Sequence, residues 1–213
     1  MTEQIKKRII DPRTWDRKKN FDFFRDFVNP NLGVSVRLDV SHAYLQAKEK
    51  QCSFFLLYFY ALLYACNAIE EFHYRLDRDG NIVYYDRIDG LAPIRVEEYD
   101  NFAELRFPYC KSLSDFCVHA EEIKKQAKTT DPYAQEYALT DFNVLFVSAL
   151  PNLDFTSICS TQRSQQGNDY PLCIVGKMGE DMTMPVTLTV HHGFVDGEHI
   201  SRFFTILQQY LRD

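Results

Sequence analysis

Apolar and polar positions along this chain fall into blocks of two periods, separated by turn residues. Asp11 to Phe27 reads as an opening turn and a helix with Pro12 near its start, and Asn29-Pro30-Asn31 breaks it. Gly33 to Val40 alternates as a half-buried strand does. Ser41 is a capping type and predicts a short helix to about Lys50. A long apolar helix follows, roughly Ser53 to Glu71. His73 to Leu76, Asp79-Gly80 and Ile82 to Asp86 form a hairpin pattern with a Gly turn. Leu91 to Tyr99 reads as a further strand. In Leu113 to Lys128, Phe116, Ala120, Ile123 and Ala127 recur at helical spacing, and Thr129-Thr130-Asp131-Pro132 ends the run. Asn143 to Leu150 and Phe155 to Cys159 read as strands, and the polar stretch Thr161 to Asn168 as a loop. Leu172 to Met178 and Met184 to Val190 pair around Gly179-Glu180-Asp181, and the last helix starts near Gly197. No repeat, low-complexity tract or linker interrupts the pattern. The expectation is one domain over 1–213 with an α+β fold: two layers, a large mixed β-sheet with helices packed against it.

One block admits two readings. Cys52 to Ile69 is a run of 18 residues without a formal charge, at the edge of membrane-spanning length. It also holds Ser53, Tyr58, Tyr60, Tyr64 and Asn67, and a helix apolar on most faces is equally the form of a buried core helix. We expect the buried helix and no membrane association. Composition is that of an ordinary globular protein, 46% hydrophobic and 25% charged over 213 residues. The net charge of −6 argues against nucleic acid as a partner of the bulk surface. The charged start, Met1 to Arg8, lacks the apolar core of a secretory signal. Six cysteines without a C-x-x-C pair then suggest reduced thiols in a cytoplasmic protein, and no ligand spacing suggests a metal site.

The chemistry concentrates at His191-His192, followed by Asp196-Gly197, between the apolar run Val186–Val190 and the helical run Ile200–Leu211. Histidine is the side chain best suited to moving a proton near neutral pH. The spacing H-H-x-x-x-D-G resembles the signature of the chloramphenicol acetyltransferase family. A looser H-x-x-x-D-G marks the wider group of dihydrolipoyl acyltransferases and peptide-synthetase condensation domains. Further matches run along the chain in the family's order: Trp15-Asp16-Arg17 with Phe21 to Arg25, Leu38 to Ser41, Asn67 with Glu70-Glu71-Phe72, Pro108-Tyr109, Ser148-Ala149-Leu150-Pro151, and Pro171 with Lys177.

The resemblance implies a CoA-dependent acyltransferase fold and an acetyl-CoA-dependent O-acetyltransferase that works by direct transfer. Acetyl-CoA is then a co-substrate, and the acceptor is chloramphenicol or another small-molecule alcohol. It makes His192 the general base and His191 its support. Ser148 becomes the donor to the oxyanion of the tetrahedral intermediate. Asp196 is then paired with Arg17 to hold the site, where a bidentate contact would be strong and directional. Lys177 falls near the coenzyme's phosphates, although a solvated strand-end lysine is the plain alternative. The family also implies a homotrimer with sites between subunits. Its acceptor pocket maps to Phe24, Val28, Leu32, Pro93, Ile158 and Ser160. The chain departs from the pattern at Thr189, Gly193 and Glu198 around the histidines, at Ser53 and Asn152, and in the pocket. There Phe24 replaces a Tyr, Pro93 a Thr, and Pro30 a Cys, so hydroxyl partners are lost where polar recognition sets specificity. Two alternatives stand beside this reading. One is an acyltransferase core with another acceptor, such as a carrier-bound thiol, although the chain has no lipoyl domain or Ala-Pro linker. The other is a catalytically silent binding protein of the same fold.

Overall fold

The computed structural model describes residues 5–96, 101–127, 142–160 and 169–213. The helix stop at Thr129–Pro132, the loop Thr161–Asn168 and the last residues of the strand expected to Tyr99 lie outside them. Six strands form a mixed sheet in the order β2-β9-β8-β7-β5-β6. They are β2 (Asn31–Asp39), β5 (Asp89–Val96), β6 (Asn101–Phe107), β7 (Val144–Ala149), β8 (Leu172–Val175) and β9 (Thr183–His191). β2 runs antiparallel to β9 from Asn31↔His191 to Asp39↔Thr183. β8 is antiparallel to β9 and parallel to β7, and β7 is parallel to β5. A small antiparallel sheet of β1 (Lys7–Ile9), β4 (Ile82–Tyr85) and β3 (Tyr74–Leu76) lies apart. Gly80, at φ 79°, makes its hairpin turn in the left-handed region that glycine enters without a Cβ penalty.

The register explains the core. On one face of the large sheet stand Val34, Val36 and Leu38, then Val186, Leu188 and Val190, then Cys173 and Val175, Leu145 and Val147, Ala92, and Leu105 and Phe107. These side chains are all apolar, and the helices cover them. α3 (Phe54–Asn67) contacts both β5 and β7, α4 (Leu113–Ala127) contacts β6, and α5 (Gly197–Arg212) contacts β2. Gly90 belongs to the same face. A Cβ there would sit 2.4 Å from Phe59 Cζ, so glycine is what lets α3 approach β5. The opposite face alternates to Ser35, Thr187, Thr189 and Ser148, and Ser35 Oγ lies 2.7 Å from Thr187 Oγ1.

α3 is the buried helix of the two readings. Leu56 to Leu63 are all at most 7% exposed, and no helix among the described residues is long and apolar enough to cross a membrane. It ends before the expected Glu71 because Asn67 turns its amide to Ile88, the residue that precedes β5. Asn67 Nδ2 donates to the Leu63 and Ile88 carbonyls, and Asn67 Oδ1 accepts from the Ile88 N–H. A 3₁₀ turn, Glu70–His73, completes the stretch. α2 (Ser41–Glu49) is capped by the residue preceding Val40 and not by Ser41: the Asp39 carboxylate accepts from Ser41 N at 3.0 Å and from Ser41 Oγ at 2.7 Å. β1 and β6 were not expected. The strand expected at Phe155–Cys159 is absent, because residues 151–160 follow an irregular path. There Leu153 N donates to Leu150 O, Leu153 O accepts from Lys177 N at 2.7 Å, and Asp154 pairs with Arg37.

Candidate active site

The histidine pair stands where β9 leaves the sheet. His191 is its last residue, opposite Asn31, and the His192 N–H still reaches the Pro30 carbonyl at 2.8 Å. From the other side comes α1 (Lys18–Phe24), whose Phe24 ring stacks on His192 at 4.1 Å and 14°. His192 is half-buried, and its Nδ1 is buried without a hydrogen-bond partner among the described residues.

His191 is held differently. Its ring lies against Phe21 and Phe194, and its Nδ1 accepts from the Gly193 N–H at 3.1 Å. That bond leaves the ring proton on Nε2. Burial above all, with a smaller effect of His192, pushes its pKa down to about 4, so the ring is neutral at pH 7. The same packing accounts for Gly193. A Cβ there would lie 2.9 Å from His191 Cε1 and 3.1 Å from Phe21 Cδ2.

Asp196 and Arg17 meet across the chain, Nη1 to Oδ2 at 3.2 Å. The contact is single, not the bidentate pair the sequence suggested. Arg17 Nε and Nη2 are buried and have no partner among the described residues. The other Asp196 oxygen is engaged elsewhere, because Asp196 is also the N-cap of α5. Oδ1 accepts from Glu198 N at 3.1 Å and lies 2.9 Å from His199 Nδ1. The Asp196 N–H in turn reaches His199 Nδ1 at 3.1 Å, and His199 Nε2 lies 3.3 Å from Glu71 Oε1 on the 3₁₀ turn. Burial works to raise the Asp196 carboxyl, but His199 and Arg17 together outweigh it and hold it below its ordinary value. A continuous chain, Glu71–His199–Asp196–Arg17, thus ties three separate segments together: the 3₁₀ turn, the start of α5 and the residues before α1. In the sequence, Glu71 stands only within a family match, and no role is assigned to it or to His199. For His199 the available signal is an aspartate cap with a polar side chain three positions on.

Ser148 is not part of this cluster. It lies on β7 opposite Ile174, which lies opposite Thr187, well down β9 from His191. Two strand spacings across and roughly four residues along put Ser148 and the histidine pair on the order of 15 Å apart within the chain. The remaining candidates divide the same way. Phe24, Val28 and Leu32 lie on α1, the turn after it and β2, near His192, and Val28 is fully exposed. Pro93 lies on β5, the strand beside β7, while Ile158 and Ser160 lie on the irregular segment that follows β7. Lys177 is exposed just past β8, its backbone bonded to that segment. Among the described residues no group of His, Cys, Asp or Glu could hold a metal ion.

The chain matches the family described as Chloramphenicol acetyltransferase over residues 5–208. A chloramphenicol acetyltransferase of Proteus mirabilis is 26% identical over 98% of this chain and 96% of its own length. Chloramphenicol acetyltransferase 3 of Escherichia coli is 23% identical, covering 94% of each. A solved chloramphenicol acetyltransferase structure superposes with a TM-score of 0.89 at 43% identity, over 97% of this chain and all of that one. A probable dihydrolipoamide acetyltransferase from Listeria monocytogenes shares the fold alone, at a TM-score of 0.63 and 14% identity over 96% and 94%.

Proposed function

The chain belongs to the chloramphenicol acetyltransferase family, and we propose that it moves the acetyl group of acetyl-CoA directly to a hydroxyl of chloramphenicol or a related small molecule, with His192 as general base. The observation that carries this is the histidine cluster itself: an imidazole at a strand end, clamped by Phe24, beside a turn locked by Asp196 and Arg17. With Nδ1 buried, Nε2 is the nitrogen left for the acceptor's hydroxyl. It takes the proton as the oxygen attacks the thioester carbonyl. The resulting oxyanion accepts a hydrogen bond from Ser148, and its collapse expels the CoA thiolate, which takes the proton back from the imidazolium.

His192 and Ser148 are too far apart in one chain to act on one carbonyl, which supports a site shared between copies. We place His192, Phe24, Val28 and Leu32 on one side of it and Ser148, Pro93, Ile158 and Ser160 on the other, in a homotrimer. His191 supports the base as a neutral neighbour, and Lys177, exposed, faces the coenzyme's phosphates. The free cysteines fit a cytoplasmic protein.

The test is thiol release from acetyl-CoA with chloramphenicol, wild type beside His192→Ala. Release should require the antibiotic and fall about 10²- to 10⁴-fold in the variant. Equal rates in the two proteins would remove His192 from the mechanism. Tight acetyl-CoA binding without release would move the acceptor to another alcohol.

A further inference from the structure

Far from the histidines, two thiols are set against each other. Cys52 Sγ lies 2.7 Å from Cys117 Sγ, about 0.7 Å beyond the length of a disulfide bond. Both residues are half-buried, so small reagents can reach them. Each sulfur stands on a stiff support. Cys52 closes a Schellman-type turn after α2: its N–H reaches the Ala47 carbonyl, the Gln51 N–H reaches that of Lys48, and Gln51 takes the left-handed φ of 52°. Cys117 lies within α4. The other four cysteines are placed differently. Cys66 and Cys173 are buried, Cys159 is exposed, and Cys110 Sγ lies 3.4 Å from His119 Nδ1.

We propose that Cys52 and Cys117 are a thiol pair that low-molecular-weight disulfides oxidise to a reversible intramolecular bridge joining the α2–α3 turn to α4. The chemistry is two exchanges. The Cys52 thiolate attacks one sulfur of the external disulfide and expels one thiolate, leaving a mixed disulfide. Cys117 then loses its proton, attacks the Cys52 sulfur and expels the second thiolate. In sum, two protein thiols and one external disulfide give one protein disulfide and two small thiols. Burial, with the Cys52 sulfur adding to it, pushes the Cys117 thiol up to about 12.

The experiment treats the full chain with oxidised glutathione, blocks the remaining thiols, and counts and maps cysteines by mass. The expected product has lost two hydrogens, carries a peptide linking Cys52 to Cys117, and returns to six free thiols with dithiothreitol. Cys52→Ser and Cys117→Ser should each abolish the link, while Cys110→Ser should leave it intact. Six free thiols after oxidation, a stable glutathione adduct on Cys52 or Cys117, or a link mapped to any other pair would overturn the proposal.

Discussion

Asp196 divides its two oxygens, one to Arg17 and one to the start of α5 and His199. Asp196→Asn keeps the acceptor for Glu198 N but removes the charge facing Arg17. We expect kcat to fall on the order of 10²-fold through misplacement of the site, with a far smaller change in melting temperature. Glu71→Gln should do less, because the amide oxygen still faces the His199 ring. A double variant with Asp196→Asn should be less than multiplicative, and independent effects on kcat would separate Glu71 from the chain. A second expectation concerns pH. His191 has a pKa of about 4 in the fold against about 6.5 unfolded, so between those values the unfolded chain binds more protons. Acidification through that window therefore removes stability, up to about 3 kcal/mol. Asp169 opposes it: burial, against the attraction of Arg75, raises its pKa to about 6, so the folded chain binds the extra proton and gains stability as pH falls below 6. Thermal melts between pH 6.5 and 4 should fall more steeply for Asp169→Asn than for wild type, and less steeply for His191→Gln. Of the site, His192, Asp196 and Arg17 were legible as a spaced motif. Glu71 was not, because its role exists only once a 3₁₀ turn meets a helix cap. The separation of Ser148 follows from strand register, which no motif carries.

At the scale of elements, the meeting of α3 with β5 turns on Gly90. Gly90→Ala would drive a methyl into the Phe59 ring, and urea unfolding should show a loss of about 1–3 kcal/mol, partly restored by Phe59→Leu. If the bridge between Cys52 and Cys117 forms, it closes a loop across 65 positions. By chain entropy such a bond stabilises by about 4 kcal/mol, so oxidised protein should melt at higher temperature than reduced protein or Cys52→Ser. Most elements could be read from periodicity, since β2, α4, β7 and β9 carry clean patterns. β6 alternates as cleanly, with Ala103, Leu105 and Phe107 inward and Phe102, Glu104 and Arg106 outward. Residues 155–159 misled in the opposite sense. So short an alternation carries little weight against Leu153 and Asp154, whose bonds to Lys177 and Arg37 route the chain away from a ladder. The early end of α3 depended on one amide reaching Ile88, a tertiary contact without a local signal.

At the scale of the molecule, one face of the large sheet is closed by helices, and the other carries Ser148 apart from the histidine cluster. If each site takes His192 from one copy and Ser148 from another, two dead variants should complement. Subunits carrying His192→Ala, assembled together with subunits carrying Ser148→Ala, should regain a substantial share of acetyl transfer that neither shows alone. Hybrids as inactive as the parents would place both residues in one chain's site. Sedimentation of wild type should show a trimer. The buried α3 has a last consequence, for how the protein is made. Its apolar surface is satisfied by β5, β7 and α5, all of which leave the ribosome after it, and α5 emerges only once every strand has been made. During synthesis that helix is therefore a sticky intermediate waiting for its cover. Yield should depend on chaperone supply, and stalling translation before Gly197 should send the nascent chain to aggregation.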